Sequence, residues 1–172
     1  MINAIVCADK AWGIGKKNGL LYNIKADMEF FKLNTINSIV VMGENTLLSL
    51  PGSKPLKDRV NIVLCPDGHE YKGCICLHDF DQLINFVKIL AKQYEVWVIG
   101  GGMMYQSMLP YYDRVLVTKV DNIDSEATVF FPNLDETGEF DSFILNHPSQ
   151  DDFISEDGLK YKFVCYTRKT AA

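Results

Sequence analysis

One carboxylate stands where an apolar side chain would be expected. In KADMEFFKLNT, residues 25–35, the 3.6-residue period of a helix puts Ile24, Met28, Phe31 and Thr35 on one face, and Asp27 falls between Ile24 and Phe31 on that face. A carboxylate on an apolar stripe is costly unless it is hydrogen-bonded or protonated. Desolvation raises a carboxyl pKa, which suits a group that hands on a proton near neutrality. The plainer reading is an early-turn acid favoured by the helix dipole. A second chemical feature is VWVIGGGMMY, in which an apolar run is followed by Gly100, Gly101 and Gly102 and then by a helix-compatible segment. Strand, glycine turn and helix present backbone N–H groups to a phosphate, although a simple strand–helix turn has the same composition. The spacing is not G-x-G-x-x-G, so a Rossmann fingerprint is absent. A third feature is the cluster Lys54, Lys57 and Arg59, with Lys32 one turn beyond Asp27. Arginine suits bidentate capture of a carboxylate, while the lysines also fit a solvated turn.

The elements that must position these groups alternate along the chain. Apolar, β-branched runs at 2–8, 39–42, 60–65, 96–99 and 115–120 read as strands, and 25–35, 44–50, 79–93 and 103–109 as helices. In 79–93, Phe80, Leu83, Ile84, Val87 and Leu90 follow the helical period. Continuous rather than alternating strands between helices predict an α/β fold, a largely parallel sheet covered on both faces. Residues 143–146 and 161–167 predict a C-terminal antiparallel hairpin closed by the polar segment 149–158. The stretch DKAWGIGKKNGLLYN, residues 9–23, lacks clear periodicity and holds three glycines. Lying directly after a strand, it is expected to be a mobile lid or binding loop.

Bulk properties narrow the function. A chain of 172 residues, 48% hydrophobic and 23% charged, suits one domain, placed at 1–170. A net charge of -5 argues against nucleic acid or an anionic membrane as partner. The absence of a spanning run and of a signal sequence predicts a soluble, cytoplasmic protein. Five cysteines without a C-x-x-C pair read as small buried thiols, and three scattered histidines lack metal-ligand spacing, so no metal is expected.

The ordered set INAIVCA, WGIGKKNGLLYN, KADMEFFKLNT, VVMGENT, RVNIVL, VIGGGMMY, LVTKVD and FFP resembles dihydrofolate reductase over nearly the whole chain. The resemblance implies a single α/β domain with an eight-stranded, mostly parallel sheet. It also implies hydride transfer from nicotinamide C4 of NADPH to C6 of dihydrofolate with protonation at N5. Asp27 matches the family's one ionisable group in the pterin pocket, and Thr118 the threonine that buttresses it. Ile5, Val6, Met28, Phe31, Leu50, Leu56 and Ile99 match the apolar walls. Arg59 matches the partner of the glutamate tail, and Lys32 joins the substrate set. Cys7, Ile14, Gly15, Asn18 and Leu20 match the strand end and lid at the nicotinamide. Gly43, Glu44, Asn45 and Thr46 match a phosphate-binding helix start, and Gly100, Gly101 and Gly102 the pyrophosphate turn, whose first Gly–Gly bond is expected to be cis. Leu64, Cys65, Pro66, His78, Ile99, Met103, Met104 and Tyr105 complete the cofactor set, with Tyr105 beside the nicotinamide. Antifolate inhibitors are implied as ligands and a monomer as the working unit.

The chain departs from the family pattern in three places. Leu21-Tyr22 replaces Pro-Trp, which loosens the lid and changes the group near the ordered water of the pterin site. Ala127, or Glu126 in the other register, replaces an aspartate that couples a neighbouring loop to the lid. Glu44 and Met103 replace basic residues that recognise the phosphates of NADPH. An acid there would accept from a free 2′-hydroxyl, so use of NADH is expected beside NADPH. A reductase of another pterin or of a riboflavin-pathway pyrimidine, and a non-catalytic nucleotide-binding homologue, stand as alternatives. Asp27 with Thr118 and Arg59 favours folate.

Overall fold

A computed structural model describes residues 1–17, 19–145 and 153–170. The chain runs β1 (Ile2–Asp9), β2 (Gly13–Lys16), β3 (Gly19–Leu20), α1 (Lys25–Thr35), β4 (Ile39–Gly43), α2 (Glu44–Ser49), β5 (Val60–Leu64) and β6 (Cys74–Leu77). It continues through α3 (Phe80–Leu90), β7 (Val96–Gly100), α4 (Gly102–Met108), β8 (Arg114–Val120), β9 (Val129–Phe130), β10 (Phe140–Ile144), β11 (Phe153–Ile154) and β12 (Lys160–Arg168). The large sheet has the order β10-β12-β8-β1-β7-β4-β5-β6, with β11 paired to β12 outside that path. Pairings from β8 to β6 are parallel, and β12 runs antiparallel to both β8 and β10. This is the predicted α/β sheet with its antiparallel C-terminal hairpin. The part of that prediction over 146–152 lies outside the described residues.

Period-two alternation along β1 divides the core. Ala4, Val6 and Ala8 face a cluster with Leu83, Ile84 and Val87 of α3 and Met104, Tyr105 and Met108 of α4. Ile5 faces the opposite cluster with Leu47 of α2 and Phe30 and Phe31 of α1. Helices therefore cover both faces, as continuous apolar strands require. Among the described residues, no helix is long and apolar enough to cross a membrane.

Two predicted boundaries shift. The helix expected over 79–93 begins at Phe80 because the Asp79 side chain caps it, accepting from the Asp81 amide at 2.8 Å. It ends at Leu90, where turn bonds such as Tyr94 N–H to the Leu90 carbonyl take over. Short β6 escapes the sequence reading, since four residues at a sheet edge carry too little periodicity.

The larger correction concerns residues 9–23. In place of an irregular loop, β2 pairs antiparallel with β3 and β9 in a separate three-stranded sheet. Two of the three glycines, Gly13 and Gly15, serve close approach. A Cβ on Gly15 would sit 2.9 Å from the Gly19 carbonyl oxygen, and one on Gly13 3.0 Å from Ala127 Cβ.

Candidate active site

The parallel pairing of β1 with β8 puts Cys7 opposite Thr118. From there Thr118 reaches α1, where its Oγ1 donates to Asp27 Oδ1 at 2.6 Å. The carboxyl of Asp27 is raised above the ordinary aspartate value of 3.8, because burial outweighs the Thr118 hydrogen bond, which favours the charged form. Burial, followed by the charges of Asp27 and Asp9, pushes the Cys7 thiol up. Burial, followed by Asp27 and Cys7, pushes the Tyr105 phenol up as well. These groups share one desolvated neighbourhood at the end of β1. Tyr105 is fully engaged there, since its hydroxyl donates to the Ile5 carbonyl at 2.9 Å.

The wall beside Asp27 is apolar. Ile5, Phe31, Leu50, Leu56 and Ile99 lie in one cluster, brought together from β1, α1, the α2–β5 connection and β7. Met28 is exposed, as an open-cleft residue of α1 would be. Val6 turns the other way, into the core under α3 and α4. Lys32 is exposed on α1. At the far end, Arg59 Nη1 donates to Thr35 Oγ1 at 3.1 Å and Nε to the Lys57 carbonyl at 2.9 Å. Both partners are neutral, which anchors the guanidinium while leaving its charge for an anion.

The glycine turn lies across β7 from this pocket. The Gly100–Gly101 bond is cis, as expected, and Gly100 has φ +137. β4 and β7 shift register between Val41 and Met42, so that Met42 pairs with Gly100. A Cβ on Gly100 would stand 3.2 Å from Thr46 Oγ1, and one on Gly101 3.3 Å from the same atom. Gly43 and Gly101 are the N-caps of α2 and α4, neither helix has a side-chain cap, and the two glycines adjoin. Uncapped amides converging on a surface that side chains would obstruct suit a diphosphate.

Sequence comparison agrees with this geometry. The sequence profile of dihydrofolate reductase matches residues 1–168. The chain belongs to the dihydrofolate reductase family. It is 30% identical to the dihydrofolate reductase of Bacillus subtilis, over 100% of this chain and 97% of that one. It is 32% identical to that of Rattus norvegicus, over 98% and 97%. The viral dihydrofolate reductase of Saimiriine herpesvirus 2 is 31% identical over 98% of this chain and 85% of its own. A solved dihydrofolate reductase from Enterococcus faecalis, complexed with NADP(H) and RAB-propyl, superposes with a TM-score of 0.80. It covers 99% of this chain and 97% of its own at 25% identity.

Three departures from the dihydrofolate reductase pattern now have a structural setting. The Tyr22 hydroxyl is buried, donates to Asp9 Oδ2 at 3.1 Å and accepts from Asn122 Nδ2 at 3.1 Å. Burial is the main cause of its rise to about 12. It is thus tied to the lid base, with no direct bond to Asp27. Leu20, on β3, is 74% exposed, and Ile14 and Gly15 are buried in β2; Asn18 lies outside the described residues. Although Ala127 lacks a carboxylate, lid and neighbouring loop are joined by the β2–β9 pairing and by Lys16, whose Nζ lies 2.8 Å from Asp124 Oδ2.

Past the end of β4, Glu44 opens α2 and its carboxylate accepts from the Tyr71 hydroxyl and bonds His69 Nδ1 at 2.5 Å. The Tyr71 hydrogen bond, followed by His69, holds that carboxyl below its usual range, so it is charged at neutral pH. His78 bonds the Cys65 carbonyl through Nδ1 at 2.8 Å and Glu70 through Nε2 at 2.9 Å. The Cys65 bond, then Glu70, raises its pKa. Asn45, Pro66 and Met103 are exposed, Leu64 is half-buried, and Cys65 and Met104 are buried. Sequence reasoning passed over His69 and Tyr71, because nothing in their spacing tied them to residue 44. It also passed over Asp9, an acid closing an apolar strand.

Proposed function

We propose that the chain reduces 7,8-dihydrofolate to 5,6,7,8-tetrahydrofolate, taking hydride from NADPH, as a monomer in the cytoplasm. The observation that carries this reading is Asp27, a desolvated carboxyl hydrogen-bonded by Thr118 at 2.6 Å, at the mouth of an apolar wall. When bound, the nicotinamide supplies the hydride. Asp27 accepts hydrogen bonds from the pterin ring, and the burial that raises its carboxyl pKa favours delivery of a proton toward N5. Thr118 fixes the carboxylate's orientation. Ile5, Phe31, Leu50 and Ile99 would exclude water from the ring, and Arg59 would take the glutamate carboxylate.

The glycine cradle fits a dinucleotide diphosphate, since a side chain at Gly100 or Gly101 would press on Thr46. The 2′-phosphate has a poorer match. Charged Glu44, bonded to His69, holds a position that the family resemblance assigns to the adenosine end, and an acid there fits a free 2′-hydroxyl better than a phosphate. The enzyme is therefore expected to use NADH appreciably beside NADPH. The test is loss of reduced-nicotinamide absorbance with each cofactor, in the presence and absence of dihydrofolate. Oxidation that depends on dihydrofolate supports the reading; folded protein that oxidises neither cofactor defeats it.

A further inference from the structure

Asp9 ends β1 and is 1% exposed. Among the described residues no ion pair involves it. Its carboxylate takes four hydrogen bonds instead, each with Asp9 as acceptor. Oδ1 receives the amides of Ala11 at 3.0 Å and Gly13 at 2.9 Å. Oδ2 receives the Tyr22 hydroxyl at 3.1 Å and the Asp124 amide at 2.9 Å. A buried carboxylate without a countercharge needs such a donor set.

The donors come from three separate stretches. Ala11 and Gly13 form the near foot of the lid, Tyr22 its far foot, and Asp124 the loop after β8. The set extends outward through Asn122, which donates to the Tyr22 hydroxyl, and through Lys16, which spans from β2 to Asp124 and Glu126. Around Gly13 the fit is close: an added Cβ would meet Ala127 Cβ and Leu21 Cδ1 at 3.0 Å and Asp9 Oδ1 at 3.1 Å. Two feet and a facing loop meet at one side chain.

We propose that Asp9 is the positioning residue of the lid. Resting on the reductase reading above, it fixes the β2–β3 hairpin that carries Ile14, Gly15 and Leu20, and it acts through that hairpin without touching substrate. Only an acceptor on both oxygens serves here. Asparagine has the same size, yet either amide orientation sets an NH₂ against two donors and breaks two of the four bonds. Glutamate keeps the charge but moves it by a methylene.

The test compares wild type, Asp9→Asn, Tyr22→Phe and the double variant. The main readout is the single-turnover rate constant for hydride transfer from NADPH to dihydrofolate, which does not depend on the active fraction of a preparation. The second is tryptic cleavage after Lys16 and Lys17. Asp9→Asn is expected to slow hydride transfer about tenfold or more with dihydrofolate affinity within about threefold, and to speed lid cleavage. Tyr22→Phe gives a smaller effect in the same direction, and the double variant loses less than the sum, because the two residues share a bond. Asp9→Asn with wild-type hydride transfer and lid protection overturns the proposal. If that variant does not fold, amide exchange in the native protein decides. Slow exchange at Ala11, Gly13 and Asp124 supports the network, and free exchange there overturns it. A wild type that never transfers hydride instead overturns the reductase reading, and cleavage and exchange still report on Asp9 and the lid.

Discussion

Replacing Asp27 with asparagine separates the proton from the pocket. The change is isosteric, and the asparagine carbonyl still accepts from Thr118 Oγ1, now 2.6 Å from the carboxylate. A charged hydrogen bond of about 1.5–3 kcal/mol becomes a neutral one of about 0.5–1.5 kcal/mol, a loss of about 1 kcal/mol. Relief of the desolvation that raises the Asp27 carboxyl opposes that loss, so the variant folds. The sign for stability follows. A carboxyl raised in the native state stabilises fully below the unfolded value and loses that contribution as pH rises through the native value. Asp27→Asn therefore gains on wild type as pH rises from about 4 through the raised native value, which chemical denaturation at several pH values checks. Catalysis moves the other way. Positioned proton transfer contributes about 10²–10⁴-fold, or about 3–5 kcal/mol of barrier, several times the change in the hydrogen bond. Hydride transfer by the variant at pH 7 should fall by that factor and recover as pH drops and solvent protonates N5. Wild-type activity should decline as pH rises through the Asp27 value. Stopped-flow absorbance of NADPH between pH 5 and 9 reads both. A variant within about threefold of wild type at neutral pH, with an unchanged profile, refutes the assignment of the proton to Asp27.

Thr118→Val removes the bond that favours charged Asp27, so the alkaline limb of the rate profile should move to higher pH, seen in the same stopped-flow series. Glu44→Arg should shift the ratio of specificity constants toward NADPH by about tenfold or more, with NADPH and NADH binding followed by calorimetry as a second readout. An unchanged ratio removes Glu44 from cofactor choice. Arg59→Gln should raise the dihydrofolate KM by about 10–100-fold through loss of a charged hydrogen bond. It should leave a pterin lacking the glutamate tail unaffected, which steady-state kinetics with both substrates tests.

Much of this was legible in the sequence because it is local. The periods of α1 and α3, the apolar strands and the glycine run follow from nearest-neighbour chemistry, and each appears within a few residues of its expected place. Asp27 was visible as an acid on an apolar stripe, a conflict within one helix. The tertiary structure decided what depends on residues far apart. Asp27 meets Thr118 only because β8 lies beside β1. The lid glycines look like flexibility along the chain but permit the contact of β2 with β3 and β9. Glu44 finds Tyr71 and His69, and Asp9 gathers Tyr22 and Asp124, across 13 to 115 residues of chain. Such partners leave no periodicity, since a hydrogen bond across the fold constrains two side chains and nothing between them.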